Sequence, residues 1–133
     1  MNPLHLSISG IPASKGSWIV RYGRLIPDNR QKLETWTCAI RKTASATYSP
    51  APPTRGAIEL KLKFYLPPPR ITEQGRPATT RPDIDKLARA VLDALAGIIY
   101  VDDCQVIKMD VSKEYDFNGL NGCDIEIRGR NDQ

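Results

Sequence analysis

Arg81 to Val106 reads RPDIDKLARAVLDALAGIIYVDDCQV, and its middle carries the strongest helical pattern in the chain. Ile84, Leu87, Ala88, Val91, Leu92 and Leu95 recur at i, i+3, i+4, i+7, i+8 and i+11, a continuous apolar stripe that predicts a helix over Asp83 to Ala96. Pro82 precedes it and Gly97 closes it, as expected of helix start and stop residues. Beyond the glycine, IIYV is an apolar run read as a strand at 98–101, and Asp102-Asp103 as a turn. The alternating VIKMDVSKEY then predicts a strand over about 105–115.

Working outward, AIELKLKFYL alternates Ile58, Leu60, Leu62 and Phe64 with Glu59, Lys61 and Lys63, the clearest strand in the chain, at 57–66. PPPRITEQGRPATTRP joins it to the helix and is a loop, because its prolines supply no backbone donors. Upstream of Pro50, Pro52 and Pro53, the residues Leu33, Trp36, Thr37, Ile40 and Ala44 fall at helical spacing behind the N-cap candidate Asp28, predicting a helix from Asn29 to Thr47. GSWIVRYGRLIPD reads as a hairpin about Tyr22-Gly23-Arg24, with Arg21 and Arg24 near its tip. LHLSIS predicts a strand near 3–9 and CDIEIRG one near 123–129, with Asn118-Gly119 in a turn. These elements amount to a two-layer α+β fold, a mixed β-sheet covered by two main helices, and 133 residues suit a single domain.

Composition narrows the function. No apolar run approaches the roughly 18 to 20 residues of a membrane span, and the N-terminus lacks the basic and apolar regions of a signal peptide, so a cytoplasmic protein is expected. Cys38, Cys104 and Cys123 are odd in number and far apart, without the spacing of a disulfide framework or a zinc site. His5 is the only histidine and lies in a strand near the terminus, which argues against a Ser/His/Asp or Cys/His triad. The net charge of +4 divides unevenly: Met1 to Arg76 carries twelve Lys and Arg against four Asp and Glu, and Pro77 to Gln133 seven against eleven. A basic half suits a phosphate backbone, and an acidic half suits a divalent cation.

Taken singly, the acidic residues have structural readings. Asp83 could cap the helix, Asp85, Arg89 and Asp93 could pair at i, i+4 along a solvated face, and Asp102 and Asp103 could be turn residues. Together, Asp83 and Asp85 flank the first helical turn while Asp103 follows a segment that returns beside the helix. Three carboxylates converging there would repel one another unless a cation held them, and hard ions such as Mg²⁺ take oxygen ligands. Such a site can activate water on a phosphodiester without a histidine.

The order Pro82, Asp83, Asp85, Asp93-Ala94-Leu95, Asp102-Asp103 and Gln105 resembles the central signature of the RusA family of Holliday junction resolvases, and Gly10-Ile11-Pro12 with Lys15-Gly16 resembles its opening. The resemblance implies a RusA-like fold and a metal-dependent endodeoxyribonuclease acting on four-way junctions or other branched DNA in recombination and repair. It implies Asp83, Asp85 and Asp103 as ligands of Mg²⁺, for which Mn²⁺ could substitute, a homodimer, and no small-molecule cofactor. Two positions depart from the pattern: Lys86 replaces a usual asparagine and Arg89 a usual lysine. Arg89 is expected at the scissile phosphate, with Lys15, Arg21, Arg24, Arg70, Arg76 and Lys86 contacting DNA. The alternative from another class is a non-catalytic, structure-selective DNA-binding accessory protein on the same scaffold.

Overall fold

The computed structural model describes residues 2–15, 18–27, 30–48, 50–69 and 74–130, with 18–21 and 25–27 described by their backbone alone. In chain order the elements are β1 (Leu4–Ser9), β2 (Trp18–Arg21), β3 (Arg24–Pro27), α1 (Arg30–Tyr48), β4 (Ala57–Leu66), α2 (Ile84–Leu95), a short 3₁₀ turn (Asp103–Gln105), β5 (Val106–Tyr115) and β6 (Gly122–Arg130). The expected cap Asp28 and first helical residue Asn29 lie outside the described residues.

Alternation along β4 points Ile58, Leu60, Leu62, Phe64 and Leu66 to one face, and all five are buried. This strand pairs antiparallel with β6 and parallel with β5, while β1 adds antiparallel to β6, giving a mixed sheet in the order β1-β6-β4-β5. A parallel pair needs a long crossover, and the chain between β4 and β5 carries α2. Register aligns the inward residues in rows such as Leu6, Ile125, Leu62 and Val111, with Ile8, Cys123, Phe64 and Lys113 in the next. Trp36, Ile40 and Ala44 of α1 and Leu87, Val91 and Leu95 of α2 join the same buried cluster. His5, Ser7, Lys61 and Lys63 on the other face of the sheet are exposed, so the main fold has two layers. β2 and β3 form the separate hairpin expected around Tyr22-Gly23. No helix among the described residues is long and apolar enough to cross a membrane.

Two expectations are corrected. The strand at 98–101 does not form: Ile98 and Ile99 both donate backbone N–H groups to the Leu95 carbonyl, Gly97 donates to Tyr100, and Tyr100 makes only isolated bridges to Thr54 and Ala96. The apolar run IIYV does mark burial, with Ile99 and Tyr100 fully inside, but a short apolar run cannot tell a strand from a buried turn. The stripe on α2 is also wider than expected at its centre and shorter at its start: Leu87, Ala88, Val91 and Leu95 are buried as predicted, Ala90 and Ala94 are buried as well, and Ile84 is 39% exposed.

Cys123 sits in the row between Ile8 and Phe64, where burial pushes its thiol up to about 12, while Cys38 and Cys104 are exposed. At pH 8 a thiol reagent is therefore expected to label two cysteines in the native protein and the third only on unfolding, as mass spectrometry of the labelled chain would show. Because the folded thiol titrates above the unfolded one, its contribution to stability is complete below the ordinary thiol pKa and is lost as the pH rises from there towards 12.

Candidate active site

Asp83 is the N-cap of α2, in an extended backbone conformation, but its side chain makes no capping hydrogen bond. The structural reading of this residue as a cap is therefore met by position and not by chemistry, which leaves the carboxylate exposed. It lies 3.6 Å from Lys86 Nζ, an exposed i, i+3 pair of the kind that contributes little to stability. Asp85 stands in the first turn and is exposed. Helical geometry strings Asp85, Arg89 and Asp93 along one stripe spanning about 12 Å of axis. Among the described residues Arg89 forms no direct ion pair with either aspartate. Asp93 instead pairs with Lys15, whose backbone N–H donates to the Lys86 carbonyl at 3.1 Å.

Asp102 and Asp103 take different parts. The Asp102 carboxylate caps the 3₁₀ turn by accepting from the Cys104 N–H at 3.0 Å, and this hydrogen bond, with one to Asp103, holds it below the usual carboxylate range. Asp103 is held above that range, first by the hydrogen bond it shares with Asp102, then by desolvation and the charges of Asp102 and Asp93, with Arg89 opposing. The charges of Asp93 and Arg89 on α2 thus act on Asp103. Behind it, Tyr100 is buried and donates its hydroxyl to the Leu92 carbonyl at 2.6 Å; burial and the carboxylates of Asp103 and Asp93 raise its pKa.

Gln105 locks this corner. Its Oε1 accepts from Val101 N and Asp102 N, and its Nε2 donates to the carbonyls of Thr54 and Gly56, all at 2.9 Å. Arg41 from α1 donates to the carbonyls of Ala94 and Ala96, satisfying orphan acceptors at the end of α2. At the other end of the helix, Lys113 Nζ reaches from β5 to the carbonyls of Thr80 and Pro82, both at 2.8 Å, and Tyr115 meets the Thr80 hydroxyl. Sequence reading missed Lys113, because its distance in sequence hides that its strand register brings it to the approach to Asp83. The signal was an inward-facing lysine in an alternating strand. Lys113→Met should lower the free energy of unfolding by about 1 to 2 kcal/mol, since two charge-assisted hydrogen bonds are lost at a partly exposed site, as a urea titration would show.

The remaining predicted contacts are placed unequally. Arg24 is exposed beside the hairpin turn and Arg76 is exposed on the loop before α2. Arg21 ends β2 by its backbone, and its side chain, with the whole of Arg70, lies outside what the structure describes.

A match to the family model described as Endodeoxyribonuclease RusA covers residues 14–128, nearly the whole chain and every acidic residue discussed. This chain belongs to the RusA family. A relative within reach is an uncharacterized protein, YqaN, of Bacillus subtilis (strain 168), 30% identical in an alignment that covers 86% of this chain and 89% of the relative. Membership of the RusA family places the chain among nucleases, and the mixed sheet with two main helices agrees with a RusA-like architecture. The donors available are carboxylate oxygens, the ligand chemistry of hard divalent ions. In the arrangement seen, no group of three or more His, Cys, Asp or Glu side chains among the described residues is gathered closely enough to hold an ion.

Proposed function

We propose that this chain is a metal-dependent endodeoxyribonuclease that resolves four-way junctions, or related branched DNA, by paired nicks. The observation that carries this reading is the match of residues 14–128 to the RusA family, a stretch in which Asp85, Arg89 and Asp93 lie along one stripe of α2 and the charges of Asp93 and Arg89 act on Asp103. Asp83, Asp85 and Asp103 do not form a closed cluster in the arrangement described, so they would hold Mg²⁺, with Mn²⁺ as a substitute, only by drawing together around it, and a bound ion would supply Lewis-acid polarisation of the phosphodiester. The chain's own residues do the rest. Arg89 sets a positive charge among carboxylates that would otherwise repel a phosphate, and Gln105 and Lys113 hold the two segments that present Asp103 and Asp83. Lys15, Arg24, Arg76 and Lys86, with Arg21 and Arg70, attract the DNA backbone. A homodimer supplies two such sites, matching the approximate two-fold symmetry of a four-way junction.

The direct test is a cleavage time course on a four-way junction and on linear duplex, with Mg²⁺ and with chelator. Paired nicks in the junction that need the metal support the reading. Binding with no cleavage under Mg²⁺ or Mn²⁺ would instead mark a non-catalytic, structure-selective DNA-binding accessory protein. Within the enzyme, Arg89→Ala should slow single-turnover cleavage by about tenfold to a hundredfold, because a charge that stabilises the transition state is removed. Arg89→Lys should keep most activity if a point charge is sufficient. A rate for Arg89→Ala within about twofold of the parent, the effect expected of a surface pair, would assign the residue to the solvated face of the helix.

A further inference from the structure

A cavity of about 710 Å³ opens directly beside Asp83. Its walls come from the segment after β1, one face of α1, the end of β4 and the start of α2, and the apolar part is formed by Ile11, Trp36, Ala39 and Leu66. Trp36 is only 1% exposed, and its indole Nε1 is buried with no hydrogen-bond partner among the described residues. Lys32, Arg81 and Lys86 line the same cavity together with Asp83. The volume lies within the range of about 300 to 1,000 Å³ typical of sites that enclose a small organic group.

An apolar interior with cations around it and a candidate metal carboxylate at its edge fits a ligand that is largely apolar at one end and anionic at the other. A nucleotide has that form. We propose that this cavity receives an unstacked nucleotide of the DNA strand that is cut, with the base against Ile11 and Ala39 and its phosphate near Lys32 and Arg81. This rests on the nuclease reading above and deepens it by giving the site a way to choose its substrate. A base in continuous duplex must leave its stack and its partner to enter, whereas a base at a branch point has already lost part of both, so the same cavity costs less to fill on branched DNA. The cations serve the phosphate of that nucleotide irrespective of sequence, and the apolar wall is the part that can favour one base over another.

The test uses the whole protein in chelating buffer, so that it does not depend on cleavage. Four-way junctions carrying 2-aminopurine at one position at a time around the branch point are titrated with protein. The expected result is a rise in emission of about twofold or more at one position on saturation, marking a base taken out of its stack. Ala39→Leu, which fills the cavity without changing any charge, should remove that rise and weaken junction binding by about tenfold, the scale of one lost base contact. Lys32→Gln guards against a misfolded Ala39→Leu: it should weaken binding and lower the slope of log affinity against log salt by about one, with the emission rise kept at saturation. No emission change at any position, or an unchanged rise and affinity in a folded Ala39→Leu, overturns the proposal. So does saturable binding of a free mononucleotide without an emission change in any junction, which would assign the cavity to a free nucleotide. The two readings fail separately: emission without cleavage in Mg²⁺ sinks the nuclease and leaves the cavity, and cleavage without emission does the reverse.

Discussion

Asp103→Asn is expected to bind a four-way junction at least as tightly as the parent and to cut it about a hundred to a thousand times more slowly. The loss follows from removing one of three carboxylates that would hold the ion, a change comparable to deleting one preorganised charge-stabilising group from an active site. Binding should survive, because removing a negative charge beside phosphates cannot weaken their attraction to the basic residues. Gel shift in chelator and single-turnover cleavage in Mg²⁺ separate the two quantities. Asp102→Asn is the informative neighbour: its side chain caps the 3₁₀ turn through the Cys104 N–H, and asparagine caps as well as aspartate, so cleavage should stay within a few fold. Equal losses in both variants would mean that the pair acts through the turn and not through the ion.

The second large effect is on folding. Gly122 opens β6 opposite Ser9, with φ at +157°, and a Cβ built there would lie 2.0 Å from the carbonyl oxygen of Ile8. That neighbour is backbone in the antiparallel pair of β1 and β6, so it cannot swing aside as a side chain could. Gly122→Ala should therefore cost about 3 kcal/mol or more and lower the melting temperature by about 10 °C. Gly97 offers the comparison. Its φ of +86° carries the tight turn after α2, but nothing stands within 4 Å of a Cβ there, so Gly97→Ala should cost only the left-handed conformation, about 1 to 2 kcal/mol. Calorimetry of both variants would decide the point, and similar losses in the two would show that conformation, and not the clash, governs Gly122.

Local sequence pattern sufficed for the elements whose burial alternates strongly and for the acidic motif. The strand at β4, the helices α1 and α2, the hairpin and the order of Asp83, Asp85, Asp93 and Asp102-Asp103 were legible because side-chain direction repeats locally, every second residue in a strand and about every 3.6 in a helix. Family resemblance was legible for a related reason, since several acidic residues at set spacings form a pattern that no single residue carries. Partners, in contrast, were set by long-range packing. IIYV became a buried turn because Leu95 captures two of its amides and Thr54 pairs across it. Asp102 and Asp103, adjacent and alike in sequence, separated into a cap held below the usual carboxylate range and a carboxylate held above it. Lys113 reached Thr80 and Pro82 across some thirty residues of chain because β5 lies parallel beside β4. Periodicity reports which way a residue points, whereas its partner depends on long-range packing that no local window contains.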